Sequence, residues 1–346
     1  MDYKTLGNTG TIVSELCLGT MTFGWTTGQE DAFKIMDKFM EVGGNFIDTA
    51  NVYQNGKSES VLGEWLSKMN RDDFVIATKV RFGMGSSKND MGLGRKHILN
   101  SVKKSLERLK TDYIDLLQIH AWDPITPLDE TLSTLQNLVD DDVIRYYGAS
   151  NLRAWQFEKS NGICLSRGYD GFKSIQPQYN LLCRSTENEL IPMAVEDNIA
   201  VLPWSPLKGG ILSGKYKKEM KEPPENTRQG DAVKQGRRTM WEQVHENEVT
   251  WKVVEQLEKL GMEIGKSPSQ IALRWLLQRR GVTSPILGVR TISQLEDNLG
   301  SVGWKLKESD MKSLNEVSKI YATYPYDLGA ENQQRSGRLE NLSELP

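Results

Sequence analysis

Eight short apolar runs punctuate this sequence, at residues 16–18, 45–48, 74–78, 113–119, 143–149, 174–176, 199–204 and 284–287. Stretches with helical periodicity accompany them, near 30–42, 57–68, 95–109, 127–140, 152–166, 187–197, 271–278 and 291–299. The runs lack polar alternation, which suits strands buried on both faces, as in a parallel sheet. Eight strand–helix units close on themselves more naturally than they spread into an open sheet. The predicted fold is therefore α/β, a (β/α)8 TIM barrel.

Three segments stand outside the repeat. Residues 3–13 read as an N-terminal β-hairpin, with a Gly-Asn-Thr-Gly turn between Leu6 and Thr11. Residues 208–246, the long loop after strand 7, begin glycine-rich and become charged, with Pro223 and Pro224, as a lid or clamp loop would. Residues 321–346 form a polar tail bearing Tyr321, Tyr324 and Tyr326. Length alone allows two domains, but a barrel of this size uses 1–346 as one. Ser267-Pro268-Ser269-Gln270 carries the start signals of a helix: an N-cap serine, proline at the first turn and a capping-box glutamine.

Composition narrows the function. The formal charge is −3, from 43 basic and 46 acidic residues, which implies no surface for nucleic acid. The three cysteines, Cys17, Cys164 and Cys183, have neither metal-ligand nor paired spacing. The first ten residues contain no apolar signal core, and no apolar run is long enough to span a bilayer. A soluble cytoplasmic protein is expected; oligomeric state is left open.

Barrel chemistry gathers where strands end. Those positions hold Asp48, Lys79 and His120, with Tyr53 in the loop after the second strand. Each alone has an ordinary reading: a helix cap, a solvated charge, a structural histidine, a packing aromatic. Converging on one face, they make a site. A lysine ammonium beside a phenol stabilises the phenolate and is expected to lower the tyrosine pKa. A buried carboxylate needs a cation, and Asp48 would hold that lysine charged. Tyr53 then serves as general acid to a carbonyl oxygen, with His120 orienting that carbonyl or sharing the proton. With no placed nucleophile and no metal-ligand set, the other reactant is expected to be a hydride carried by a cofactor. Phe23, Trp25 and Trp122 are expected to wall an apolar substrate pocket.

These residues resemble the aldo-keto reductase superfamily over nearly the whole chain. Asp48-Thr49-Ala50 with Tyr53, followed by Glu59-x-x-Leu62-Gly63, resembles a family signature, and Thr78-Lys79 and Ile119-His120 resemble its lysine and histidine. The resemblance implies the catalytic set Asp48, Tyr53, Lys79 and His120, and NADPH/NADP+ as cofactor. It further implies that Thr20 and Met21 meet the nicotinamide beside Asp48, that Ser150, Asn151 and Gln176 bond its carboxamide, and that Trp204 stacks on the ring. Ser205, Pro206, Leu207, Gly209 and Lys215 would wrap the pyrophosphate. Gly288, Arg290, Gln294, Asp297 and Asn298 would take the adenosine and its 2′-phosphate at a helix N-terminus. Arg290, a charged fork donor, favours NADPH over NADH. The motif forms resemble the branch of bacterial reductases and potassium-channel β subunits. A nucleotide-sensing subunit with little turnover is thus the alternative; His120, where that group typically has asparagine, favours an active reductase.

Two glycine motifs are decoys. Gly209…Gly214-Lys215 continues with Tyr216, where a P-loop needs serine or threonine. Gly83-Met84-Gly85 has Lys88 where the dinucleotide fingerprint needs glycine.

Overall fold

The computed structural model describes residues 1–225, 227–234, 236, 241–321 and 324–327. The hairpin comes first, β1 (Tyr3–Thr5) antiparallel to β2 (Ile12–Ser14). Eight barrel strands follow: β3 (Cys17–Gly19), β4 (Phe46–Asp48), β5 (Val75–Val80), β6 (Ile114–Ile119), β7 (Ile144–Ser150), β8 (Ser174–Gln176), β9 (Ala200–Val201) and β10 (Ile286–Gly288). They pair in parallel in the order β10-β3-β4-β5-β6-β7-β8-β9. A parallel bridge between Val201 and Val282, and the Ile286 N–H donating to the Pro203 carbonyl at 2.9 Å, join the two edges. The molecule is a (β/α)8 barrel, as expected.

Helices fill the crossovers: α1 (Gln29–Glu41), α2 (Lys57–Leu66), α3 (Arg95–Leu109), α4 (Leu128–Asp140), α5 (Ala154–Arg167) and α6 (Leu190–Glu196). Between β9 and β10 lie α7 (Arg228–Lys234), α8 (Trp241–His245), α9 (Glu248–Ile264) and α10 (Pro268–Leu277). After β10 come α11 (Ile292–Leu299) and α12 (Glu308–Val317). The cap signals at α10 act as read: Gln270 N–H donates to Ser267 Oγ at 3.2 Å, and Ser267 N–H to Gln270 Oε1 at 3.3 Å. Helices α9 and α12 were not anticipated, although α9 buries Val253, Val254, Leu257 and Leu260 at helical spacing behind an Asn247 N-cap.

Two-residue alternation along the strands sorts side chains into two cores. Leu18, Ile47, Ile76, Val80, Leu117, Ile119 and Ile175 pack outward, in the cluster shared with the helices. Cys17, Phe46, Val75, Ala77, Leu116, Ala200 and Leu202 form a separate inner cluster, together with Leu6 and Val13 of the hairpin. The hairpin thereby closes the amino-terminal end of the barrel. The inner columns continue toward the opposite mouth as Asp48 above Phe46, Lys79 above Ala77, and Gln118 above Leu116. The site is thus the polar top layer of the barrel interior.

The signature after Tyr53 has a packing role. Glu59 is fully buried, accepting from Arg108 Nε at 2.7 Å and Thr78 Oγ1 at 2.6 Å. A Cβ on Gly63 would come within 2.1 Å of the Arg108 carbonyl, so only glycine lets α2 approach α3 this closely. Within 208–246 the described residues include α7 and α8. Ile211, Tyr216, Trp241, Val244 and Val254 form a small core that fastens it to α9. Of the tail, only Tyr321 and residues 324–327 are described, with the Tyr326 hydroxyl donating to Glu189; the expected path of 328–346 lies outside the described residues.

Candidate active site

Asp48 ends β4 with 3% of its surface exposed, and its carboxylate is fully engaged. Oδ1 accepts from Lys79 Nζ at 2.5 Å; Oδ2 accepts from Gln118 Nε2 at 3.2 Å and Gln176 Nε2 at 2.9 Å. Asp48, Gln118 and Gln176 come from β4, β6 and β8, alternate strands meeting in one interior layer. Gln118 was not singled out from the sequence; its position two residues before His120, on the same inner column, was the available signal.

Lys79 Nζ also donates to the Thr49 carbonyl at 2.7 Å and to the Tyr53 hydroxyl at 3.4 Å. Lys79 lies within β5, one residue before its end, and not at the terminus as expected. Burial works against its charge, but Asp48 and Tyr53 outweigh burial and hold its pKa above the ordinary value. Tyr53 departs from expectation. Burial pushes the phenol pKa up and exceeds the downward pull of Lys79, so the net direction is upward, not toward neutrality. The phenol is therefore protonated, with the Lys79 ammonium 3.4 Å from its oxygen.

His120 follows β6. Its ring meets Tyr53 edge-on at 5.9 Å between centroids, and Phe82 at 4.8 Å. Burial first, then the charges of Lys79 and Arg81, press its pKa down to about 3, so the imidazole is neutral. Its Nδ1 is buried without a hydrogen-bond partner among the described residues.

Beside these groups opens a cavity of about 600 Å³. Asp48, Tyr53 and His120 stand at one end. Thr20, Met21, Ser150, Asn151, Gln176, Trp204, Ser205, Pro206, Leu207, Gly209, Lys215, Gly288, Arg290, Gln294, Asp297 and Asn298, the positions carried over by resemblance, also line it. Several are already bonded to one another. Asn151 Nδ2 donates to the His120 carbonyl at 2.9 Å and to Ser150 Oγ at 3.0 Å, while Asn151 Oδ1 accepts from Trp204 Nε1 at 3.0 Å. At the far end, Thr291 Oγ1 caps α11 by accepting from Gln294 N–H at 3.2 Å. Gln294 Oε1 accepts from the Arg290 N–H at 2.9 Å, and Gln270 Nε2 donates to Asp297 at 3.1 Å.

Arg228 at the start of α7 also lines the cavity, and sequence reasoning missed it. It lies in the segment read only as a clamp, with no motif to mark it. Burial, then Arg290 and Arg228, depress the pKa of Lys215. Three cations thus crowd one wall, with Arg290 Nη1 paired to Asp231 Oδ2 at 2.6 Å. Such crowding is what a polyanionic ligand relieves.

The three aromatics expected in the substrate pocket do not line this cavity. Phe23 is fully buried in the outer core. Trp122 packs partly against that core and tilts against Trp155 at 5.9 Å, and Trp25 is half-buried. Phe82 is the aromatic found against His120. Among the described residues no group of three or more His, Cys, Asp or Glu is arranged to hold a metal ion, and no helix is long and apolar enough to cross a membrane.

An acid–lysine–phenol–imidazole set at the mouth of a (β/α)8 barrel, beside a long cation-lined cavity, defines a class of oxidoreductase. Residues 15–319 match the model of the aldo/keto reductase family, and the chain belongs to that family. It is 35% identical over 327 residues to the oxidoreductase YrpG of Bacillus subtilis, covering 92% of this chain and 96% of that one. It is 36% identical over 334 residues to the norsolorinic acid reductase stcV of Emericella nidulans, covering 92% and 80%. To the aryl-alcohol dehydrogenase [NADP(+)] of Phanerodontia chrysosporium it is 33% identical over 338 residues, covering 92% and 86%.

Proposed function

We propose that this chain is an NADPH-dependent reductase of aldehydes or ketones, aromatic carbonyl compounds among them. The observation that carries the reading is Lys79 Nζ, held by buried Asp48 at 2.5 Å and 3.4 Å from the Tyr53 hydroxyl at the cavity's end. The names of two relatives, a norsolorinic acid reductase and an aryl-alcohol dehydrogenase [NADP(+)], support both the reaction and the cofactor.

The residues fit the cofactor. Trp204, steadied by Asn151, would face the nicotinamide, and Ser150, Asn151 and Gln176 its carboxamide. Ser205, Pro206, Leu207, Gly209, Lys215 and Arg228 would hold the pyrophosphate. Arg290 would take the 2′-phosphate beside the N-terminus of α11, with Gly288, Gln294, Asp297 and Asn298 around the adenosine. When bound, NADPH supplies the hydride that a carbonyl carbon accepts.

The protein's own groups do the rest. Tyr53 donates its proton to the carbonyl oxygen as charge develops there. Lys79 stabilises the phenolate formed, and Asp48 keeps Lys79 charged and oriented. Neutral His120 hydrogen-bonds the carbonyl oxygen and fixes it toward Tyr53. Reprotonation of Tyr53 from solvent resets the site. NADPH consumption with a panel of aliphatic and aromatic carbonyls tests this reading: turnover supports it, and failure of every carbonyl in the panel contradicts it.

A further inference from the structure

Arg81 takes no part in the chemistry above, yet it follows Lys79 by two residues, just past the end of β5. It stands outside the lining of the large cavity, on the segment that leaves the strand carrying Lys79. Its guanidinium lies over the Phe82 ring at 5.0 Å, and that ring meets His120 at 4.8 Å. Two ring contacts, through Phe82 and His120, therefore separate it from Tyr53.

This cation makes no ion pair and no side-chain hydrogen bond among the described residues, and its Nε is buried without a partner. The other charges near the reacting groups are matched or belong to the cofactor wall. Lys79 is paired with Asp48, and Lys215, Arg228 and Arg290 line the long cavity. Asp123 is near enough to feel Arg81, but it turns elsewhere. It accepts from Leu93 N–H at 2.8 Å, Thr126 Oγ1 at 2.7 Å and Ile125 N–H at 3.0 Å. The neighbouring strand ends leave further polar atoms unpaired. Among the described residues, both side-chain amide atoms of Asn51 and Nδ1 of His120 are buried without partners, and Asn51 N–H donates to the Lys79 carbonyl at 3.2 Å. Unmatched polar atoms at three adjacent strand ends, one group bearing full charge, are unusual unless a ligand completes them.

We propose that Arg81 is the anion anchor of the substrate site, and that this reductase prefers carbonyl compounds carrying a carboxylate. The proposal rests on the reductase reading and adds to it the substrate class. The guanidinium fork accepts a carboxylate in two parallel hydrogen bonds, with Phe82 beneath as an apolar floor for the carbon frame joining acid and carbonyl. Arg81 is a specificity residue here; it moves no proton.

The test compares 4-carboxybenzaldehyde with its methyl ester, with NADPH, in the native protein and in Arg81→Met and Arg81→Lys. The native protein is expected to favour the carboxylate in kcat/KM. Arg81→Met lowers the ratio of the two kcat/KM values by about 10- to 100-fold, mainly through KM of the carboxylate, the scale of a lost charge-assisted hydrogen bond. Arg81→Lys restores part of the ratio, and salt erodes the native preference. Turnover of the ester with no preference for the carboxylate, or an unchanged ratio in Arg81→Met, overturns the proposal and leaves the reductase reading standing. If neither aldehyde is turned over, titration calorimetry with benzoate and benzamide in the presence of NADP+ decides the anion site by itself. Benzoate binding that Arg81→Met abolishes supports it, and equal or absent binding of the two overturns it.

Discussion

Lys79 Nζ stands 2.5 Å from Asp48 Oδ1 and 3.4 Å from the Tyr53 hydroxyl, so one buried ammonium serves both a carboxylate and a phenol. The shorter contact keeps the cation charged against the cost of burial. The longer one leaves the phenol proton free to be given away. In the proposed mechanism the field of Lys79 acts on the phenolate only once the proton has moved to substrate.

Removing Lys79 leaves Asp48 buried with the side-chain amides of Gln118 and Gln176 as its donors among the described residues. Lys79→Met is expected to destabilise the fold by about 3–5 kcal/mol, the scale for breaking a buried ion pair from one side, and to abolish carbonyl reduction. Urea unfolding of the two proteins checks this; equal midpoints would contradict it.

Gln118 has a quieter version of the same role. Gln118→Leu takes one donor from the buried carboxylate and is expected to cost about 1–3 kcal/mol while preserving measurable turnover. Denaturant unfolding and steady-state kinetics on the same preparation separate the two effects.

His120 makes stability depend on pH. Its folded pKa is pressed from the ordinary 6.5 down to about 3, so the unfolded chain binds a proton between those values and the folded protein does not. Stability contributed by the neutral imidazole is full above pH 6.5 and is lost as pH falls toward 3. The slope from this group is at most about 1.4 kcal/mol per pH unit. Unfolding free energies of the native protein and His120→Asn across that window are expected to diverge toward neutral pH, with the native protein showing the steeper fall on acidification; parallel curves would contradict this.

Arg290, half-buried and paired with Asp231 at 2.6 Å, is the expected discriminator of the cofactor's 2′-phosphate. Arg290→Ala is expected to weaken NADPH binding by about 10- to 100-fold and NADH binding far less. Fluorescence titration with each nucleotide measures both, and an equal loss for the two would assign Arg290 to the lid instead.

The barrel was legible because its strands are apolar on both sides and its caps are local. Ser267 and Gln270 signal a helix start from four residues of sequence, and Asp48, Lys79 and His120 stand out as polar groups ending apolar runs. What escaped depends on packing. Phe23 looks like a mouth aromatic but is drawn into the outer core. The direction of the Tyr53 pKa follows from how completely the fold excludes water, which no spacing encodes. Arg228 reaches the cavity from a segment of 208–246 that carries no motif, and Gln118 matters only because alternate strands bring it to Asp48. Helix α9 is the opposite case: Val253, Val254, Leu257 and Leu260 carry a helical period behind the Asn247 cap, all of it local in sequence.

The most direct measurement is steady-state NADPH consumption by Tyr53→Phe beside the native protein, with NADPH binding to both followed by fluorescence. The account predicts that the native protein reduces carbonyls, that the variant binds NADPH comparably, and that its kcat falls by about 10²–10⁴-fold for want of a proton donor. Full turnover by Tyr53→Phe would contradict it.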